Sequence, residues 1–196
     1  MAWAPDYVTA AELKAFQRVN DTVDDVQIAM AISAASRAVD KAAGRQFGQL
    51  AAAATWVYTA EWDRRAGRWV VSTDDYDTVT GLAVSVGGTV TTDYVKHHPQ
   101  AVSKGKVWTG LTLGQGVAAS STPEDVAVTA RWGWSAVPTS VKQATMLQAA
   151  RFLARRDSPY GVAGSPAEGS EMRLMATVDP DVRVSLGPYV RVWAVA

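Results

Sequence analysis

The stretch Arg131–Gly161, RWGWSAVPTSVKQATMLQAARFLARRDSPYG, decides how the rest of the chain is organised. It opens as the aromatic end of a strand, breaks at Pro138, and continues as a long helical pattern. Thr139 or Ser140 is placed to cap the free N–H groups of a first turn, because proline cannot extend a helix backwards. From Val141 the apolar residues recur at helical spacing: Val141, Ala144, Leu147, Ala150 or Arg151, then Ala154, widened by Met146, Ala149, Phe152 and Leu153. Arg155 and Arg156 fall in the last turn, where cations oppose the negative end of the helix dipole. Asp157-Ser158-Pro159 closes the element, since the residue before a proline is pushed out of the α region.

Upstream, Thr9-Ala10-Ala11-Glu12 has the spacing of a capping box, with Val8 and Leu13 as a hydrophobic staple across it. A short helix to about Val19 follows. Asp21 or Thr22 then caps a longer, alanine-rich helix that Gly44 closes. Its expected apolar side is Val23, Val26, Met30, Ala34, Ala38 and Ala42, broadened by Ile28, Ile32, Ala35 and Val39. Between Thr55 and Trp134 the texture changes to short β-branched and aromatic segments with alternation: TWVYTAEW, GRWVVS, TGLAVSV, TVTTDYVKHH, GKVWTGLTL and DVAVTARWGW. Gly87-Gly88 predicts a two-residue hairpin. Past Gly161 the chain reads as loop, then as weak strand or extended tail at Met172–Val178 and Val182–Leu186. The final PYVRVWAVA is apolar enough to need a surface to pack on.

The expected fold class is therefore α+β. A small α-helical bundle from the N- and C-terminal parts carries an inserted antiparallel β unit, and an extended C-terminal tail follows. The expected segments are residues 1–54 (N-terminal helices), 55–134 (the β unit), 135–161 (the long helix) and 162–196 (loop and tail).

Composition narrows the function. With 19 basic and 19 acidic side chains the formal net charge is +0, and residues 1–54, 55–137 and 138–196 carry −1, −1 and +2. No segment is a basic arm, which argues against tight non-specific DNA binding driven by counterion release. The absence of cysteine removes disulfides, thiolate metal sites and thiol nucleophiles. The N-terminus lacks the pattern of a signal peptide. The longest apolar run, around Leu50–Ala54, is far short of the roughly 20 residues that span a bilayer, so a soluble protein without membrane contact is expected.

Chemistry is equally sparse. His97 and His98 are adjacent and on a strand would point to opposite faces, which suits neither a shared metal nor a catalytic pair. Asp74-Asp75-Tyr76-Asp77 has the oxygen ligands of a cation loop but lacks its glycine and distal glutamate, and reads as a turn. Gly110, Gly114 and Gly116 fit neither a phosphate loop nor a dinucleotide fingerprint. No catalytic, cofactor or metal site is expected. Trp132 and Trp134, around Gly133, read as core between β unit and helix. The candidates that remain are for assembly: Arg151, Arg155 and Arg156 with Asp157 at the helix end, as donors to a neighbour's acids, and the terminal Tyr189, Val190, Arg191, Val192 and Trp193 as anchors.

A resemblance adds a family to this reading. Val128-Thr129-Ala130-Arg131-Trp132-Gly133-Trp134, Val137-Pro138, Val141-Lys142-Gln143-Ala144-Thr145, Ala149-Ala150-Arg151-Phe152 and Arg155 through Val162 resemble head–tail connector (adaptor) proteins of long-tailed bacteriophages, as in actinobacterial phages. Ala35-Ser36-Arg37-Ala38-Val39-Asp40, leading to Gly44-Arg45-Gln46-Phe47-Gly48, and Asp179-Pro180-Asp181-Val182 are similar to the same family. The resemblance covers both helical ends, and the β segment only loosely. It implies a non-enzymatic virion component at the head–tail junction, assembled in the host cytoplasm as a ring, usually a dodecamer, under the portal protein. Such a ring extends the channel for passing double-stranded DNA and docks a tail-side neck protein. The competing readings are another neck or tail component (a stopper or tail terminator) and a carbohydrate- or ligand-binding β module, suggested by eight tryptophans.

Overall fold

A computed structural model describes residues 4–157, 162–163, 172–173 and 179–191, with residues 156–157, 162–163 and 172–173 described in backbone only. The protein is mixed α+β and divides into a helical unit, residues 2–47 and 137–196, and a β unit, residues 48–136.

In the helical unit, α1 (Ala10–Gln17) starts at the capping box read from the sequence. The Thr9 side chain accepts from the Glu12 N–H at 3.2 Å, and Glu12 accepts from the Thr9 N–H at 2.7 Å. Those donors, the Thr9 N–H first and the Lys142 ammonium second, hold the Glu12 carboxyl below the usual carboxylate range. The staple residues Val8 and Leu13 are both buried.

The second helix, α2 (Asp25–Ala43), begins later than the sequence suggests. Asp24 occupies the cap position, while Asp21 accepts from the Val23 N–H in the turn before it. Its buried side is Ile28, Ala31, Ile32, Ala35, Ser36, Val39 and Ala43. The expected leading stripe of Val23, Val26 and Met30 faces outward instead. Both stripes are apolar at helical spacing, and the neighbouring helices select one of them.

The long helix α3 (Thr139–Asp157) spans most of the stretch that opened the sequence reading. The Pro138 carbonyl, rather than a Thr139 or Ser140 side chain, takes the first helical N–H groups, from Val141 and Lys142 at 3.0 Å. Its buried line is Val141, Ala144, Thr145, Gln148 and Ala149, a helical face turned away from the predicted Leu147 and Ala154. Thr145 is tolerated there because its hydroxyl donates to the Val141 carbonyl one turn back. Ala149 joins Val8, Leu13, Ile28, Ala31, Ile32 and Ala35 in one core, with Met146, Phe152 and Leu153 against it.

The expected strand or extended tail at Val182–Leu186 is a helix, α4 (Pro180–Leu186). Asp179 caps it by accepting from the Asp181 N–H at 2.9 Å, and Pro180 sits in its first turn, where a missing N–H costs nothing. Val182 and Leu186, one turn apart, are its buried residues. A short 3-10 turn, Gly187–Tyr189, follows. Val162–Ala163, in the stretch read as loop, pairs antiparallel with Met172–Arg173, at the start of the weak strand or tail read at Met172–Val178.

The β unit holds eight strands in two four-stranded antiparallel sheets. They are β1 (Ala54–Tyr58), β2 (Ala60–Asp63), β3 (Arg68–Tyr76), β4 (Ala83–Val86), β5 (Thr89–Thr91), β6 (Tyr94–His97), β7 (Trp108–Leu113) and β8 (Val126–Ala130). One sheet has the order β1-β8-β4-β5, the other β2-β3-β7-β6. Two segments that read as single strands each divide between the sheets, TWVYTAEW at Thr59 and TVTTDYVKHH at Thr92-Asp93. Val84, Val86, Val126, Val128 and Ala130 from one sheet share a core with Ala60, Val71, Tyr76, Leu111 and Leu113 from the other. The Gly87-Gly88 hairpin forms as predicted, with φ of 54° and 81° and Val86 opposite Thr89. That is the primed turn that matches strand twist and that glycine adopts without strain.

Candidate functional site

The acidic run of the β unit is structural. Asp74 and Asp75 lie on β3 rather than in a turn, and each carboxylate serves a different partner. Asp74 accepts from the Tyr58 hydroxyl at 3.0 Å, and the buried Asp75 from the Trp134 indole at 3.0 Å. Asp77 accepts from the Ser135 N–H at 2.7 Å, the Ser135 hydroxyl at 2.6 Å and the Gln49 amide at 3.0 Å. The strand alternation sends the first two to opposite faces. Trp132 and Trp134 are buried within the β unit. Trp132 stacks on Trp56 with centroids 4.6 Å apart and donates to the Ala54 carbonyl at 2.8 Å.

The histidines depart from the strand expectation. β6 ends at His97, the chain turns there, and the two rings stack at 4.4 Å instead of pointing apart. Partial burial, and then the adjacent His98, lowers the His97 pKa. Trp62 and Trp69 meet edge to face at 5.2 Å and 68°, so they do not form a flat platform. With Arg68, Gln115 and the Gly114–Ala119 loop they line a cleft of about 430 Å³.

In the helical unit the basic end of α3 is partly committed within its own chain. Arg151, half-buried, lies 3.8 Å from Asp179, the residue that caps α4. It therefore pins the start of α4 to the last turns of α3. Arg155 is half-buried on the same helix. The side chains of Arg156 and Asp157 lie outside the described residues.

The terminal segment also finds a surface in this chain. The Tyr189 ring meets Phe47 edge-on at 5.9 Å, and the Arg191 N–H donates to the Ala43 carbonyl at 2.8 Å. Val190 remains exposed. Val192 and Trp193 lie outside the described residues.

Sequence reasoning missed the group that holds the N-terminal segment. Tyr7 is buried; its hydroxyl donates to Asp40 and accepts from the Phe47 N–H at 2.9 Å. Burial, reinforced by Asp40, keeps that phenol protonated far above its ordinary range, and burial also raises the Asp40 carboxyl. Arg37 reaches Asp40 at 3.1 Å and the Pro5 carbonyl at 2.6 Å, and lies over the Tyr7 ring. The Arg37/Asp40 spacing of three was the available signal, because it puts the two charges on one helix face.

No family model and no curated protein matches the sequence. Among solved structures the fold is similar to that of a chain in the neck of an empty GTA (gene transfer agent) particle computed with C6 symmetry. The match has 17% identity and a TM-score of 0.53, and covers 99% of this chain and 96% of that one. The likeness is one of fold, and it includes the helical and β units alike. No helix among the described residues is long and apolar enough to cross a membrane.

Proposed function

We propose that the chain is a structural component of the neck of a phage-like particle, and within it the head-to-tail adaptor. In this role it forms an oligomeric ring under the portal protein at the capsid vertex, extends the DNA channel and docks the tail-side neck protein, a stopper or tail terminator. The observation that carries the reading is the fold likeness over 99% of the chain to a neck component. Its direction agrees with the adaptor-like order of motifs around Arg131–Gly161. Helices at both ends of the chain fit an adaptor better than the mostly β-barrel stoppers and terminators. A dodecamer contains the six-fold symmetry of the related neck. The formal net charge of +0 suits a wall past which DNA slides without being gripped. The role is one of assembly rather than catalysis, in the virion and without a membrane.

The direct test mixes purified protein with portal-containing capsids and images the vertex. A ring of added density under the portal is expected; capsids that stay bare would sink the reading. Two variants refine it. Truncation after Leu186 would remove Tyr189 and the Arg191 N–H, which the helical unit itself uses. Truncation after Arg191 is cleaner, and is expected to weaken portal binding while leaving thermal stability within a few degrees of the full chain. Full binding by that variant removes the terminal Val192 and Trp193 from the interface. Charge reversal at Arg155 and Arg156 is expected to shift the assembled protein to smaller species in analytical ultracentrifugation. An unchanged size distribution would take the arginine face out of the contact.

The cleft beside Trp62 supports a second reading, a ligand-binding β unit. Binding of a glycan there would change the fluorescence of the exposed Trp62. A flat response across a glycan panel removes that reading.

A further inference from the structure

Between β6 and β7 the β unit carries a positively charged corner without an acid of its own. From Tyr94 through Pro123 the sequence holds no Asp or Glu, while Lys96, His97, His98, Lys104 and Lys106 all fall in the first half of that span. The loop is folded as one piece. The His98 carbonyl accepts from the Ala101 N–H, and the Ala101 carbonyl from the N–H groups of both Lys104 and Lys106, each at 3.0 Å. A 3-10 turn, Val102–Lys104, closes on Gly105 in the left-handed conformation. The Trp108 indole donates to the Pro99 carbonyl at 3.4 Å, and Ala101 is buried. These bonds bring Lys104 and Lys106 back to the end of β6, where the rings of His97 and His98 stack. Both lysines and both histidines are exposed, and the Lys96 ammonium lies 4.9 Å from the centre of the Trp108 ring.

The acids nearest in the sheet are engaged elsewhere. Tyr76 pairs with Trp108, which puts Asp74, Asp75 and Asp77 beside the start of β7. Their carboxylates serve Tyr58, Trp134, Ser135 and Gln49. Asp93 stands at the other end of β6, against Gly114. No acid among the described residues is within ion-pair distance of Lys96, Lys104 or Lys106. The β2–β3 turn is different, because Arg64, Arg65 and Arg68 stand there among Glu61 and Asp63.

We infer that the His98–Lys106 loop, with Lys104 and Lys106 as its charges, contacts the phosphate backbone of the double-stranded DNA that the ring encloses. This inference rests on the adaptor reading above and names a surface that faces the channel. The charges suit phosphates better than a protein partner. Both are lysines, compact point charges without the arginine fork that pairs carboxylates in a fixed geometry. Val102 is the one large apolar side chain exposed in the loop, so the aromatic and arginine anchors of a protein interface are missing from it. Lysine contacts to phosphate carry no sequence information and leave DNA free to slide, because each phosphate that departs is replaced by the next. A formal charge of +0 over the whole chain keeps that attraction local.

The chain has no cysteine, so a single engineered thiol carries the probe. Full-length Ser103→Cys, exposed in the loop, is alkylated with benzophenone maleimide, assembled on DNA-filled, portal-containing capsids and irradiated. Ala66→Cys, in the β2–β3 turn at the far end of the same sheet, is the reference. A DNA adduct several-fold above the Ala66 level is expected at Ser103. Adding Lys104→Glu and Lys106→Glu is expected to lower it several-fold, with the ring density under the portal unchanged. For the free protein, titration of a short fluorescent duplex at several salt concentrations gives a second measure. Lys104→Gln with Lys106→Gln is expected to reduce the slope of log affinity against log salt by about 1.8, about 0.9 for each lysine. Equal DNA adducts at the two positions, adducts to protein alone, or an unchanged salt slope would overturn the assignment of the loop to DNA and leave the adaptor reading standing. Protein that forms no ring under the portal would overturn the adaptor reading, while the salt slope would still decide what the loop binds.

Discussion

Replacing Gly133 with alanine is expected to destabilise the β unit by about 3–5 kcal/mol. Gly133 has φ of +103°, outside the region side chains tolerate, and an added Cβ would run into the backbone carbonyl of Gly48. That carbonyl cannot simply withdraw, because it accepts from the Trp134 N–H at 2.8 Å. Gly133 also bridges Gln49 on one side and Tyr76 on the other, and donates to the Asp75 carbonyl at 2.6 Å. The buried Asp75–Trp134 bond depends on the same backbone path. Urea unfolding followed by tryptophan fluorescence reads the effect through Trp132 and Trp134. Gly67→Ala is the matched control: φ is +62° but no atom lies within 4 Å of the added carbon, so about 1 kcal/mol is expected. Equal losses at the two positions would mean that crowding against Gly48 contributes nothing.

Phe47→Ala is expected to cost the helical unit about 3–5 kcal/mol, and Phe47→Leu less than about 1.5 kcal/mol. Phe47 is fully buried and takes the Tyr7 ring edge-on at 5.8 Å and the Tyr189 ring at 5.9 Å. Its N–H also donates to the Tyr7 hydroxyl. One ring therefore secures a residue near the start of the chain and one near its end. Hydrogen exchange gives the local reading: in Phe47→Ala the amides of Tyr7 and Arg191 should lose protection more than those in the middle of α2. Uniform loss along the unit would show that Phe47 acts as general core filler rather than as the tie for both ends.

Much of this site was legible, and what failed did so for definable reasons. The capping box at Thr9 and the Gly87-Gly88 turn are local chemistry, complete within four residues, and both formed as read. Asp179-Pro180-Asp181 carried an equally local helix-start signal. The apolar alternation of Val182, Val184 and Leu186 masked it, and that alternation also fits a seven-residue helix burying only Val182 and Leu186. The contact of Arg151 with Asp179 could not be read from the sequence, because the two are 28 residues apart with no periodic link between them. The Tyr7–Asp40 bond was invisible for the same reason, spanning 33 residues.

By itself the sequence determined where helices and strands lie in most of the chain, where several begin and end, and that the protein is α+β. Those properties follow from spacing, caps and turns, which act over one or two turns of chain. Tertiary structure alone decided which of two apolar stripes of α2 is core and which is exposed. It also decided that β1 and β2 part company at Thr59 to join different sheets, and that Trp132-Gly133-Trp134 closes the β unit around Gly48 and Asp75. Periodicity marks an amphipathic element and its possible faces. The choice among them belongs to whatever packs against it, and those contacts come from residues far away in sequence.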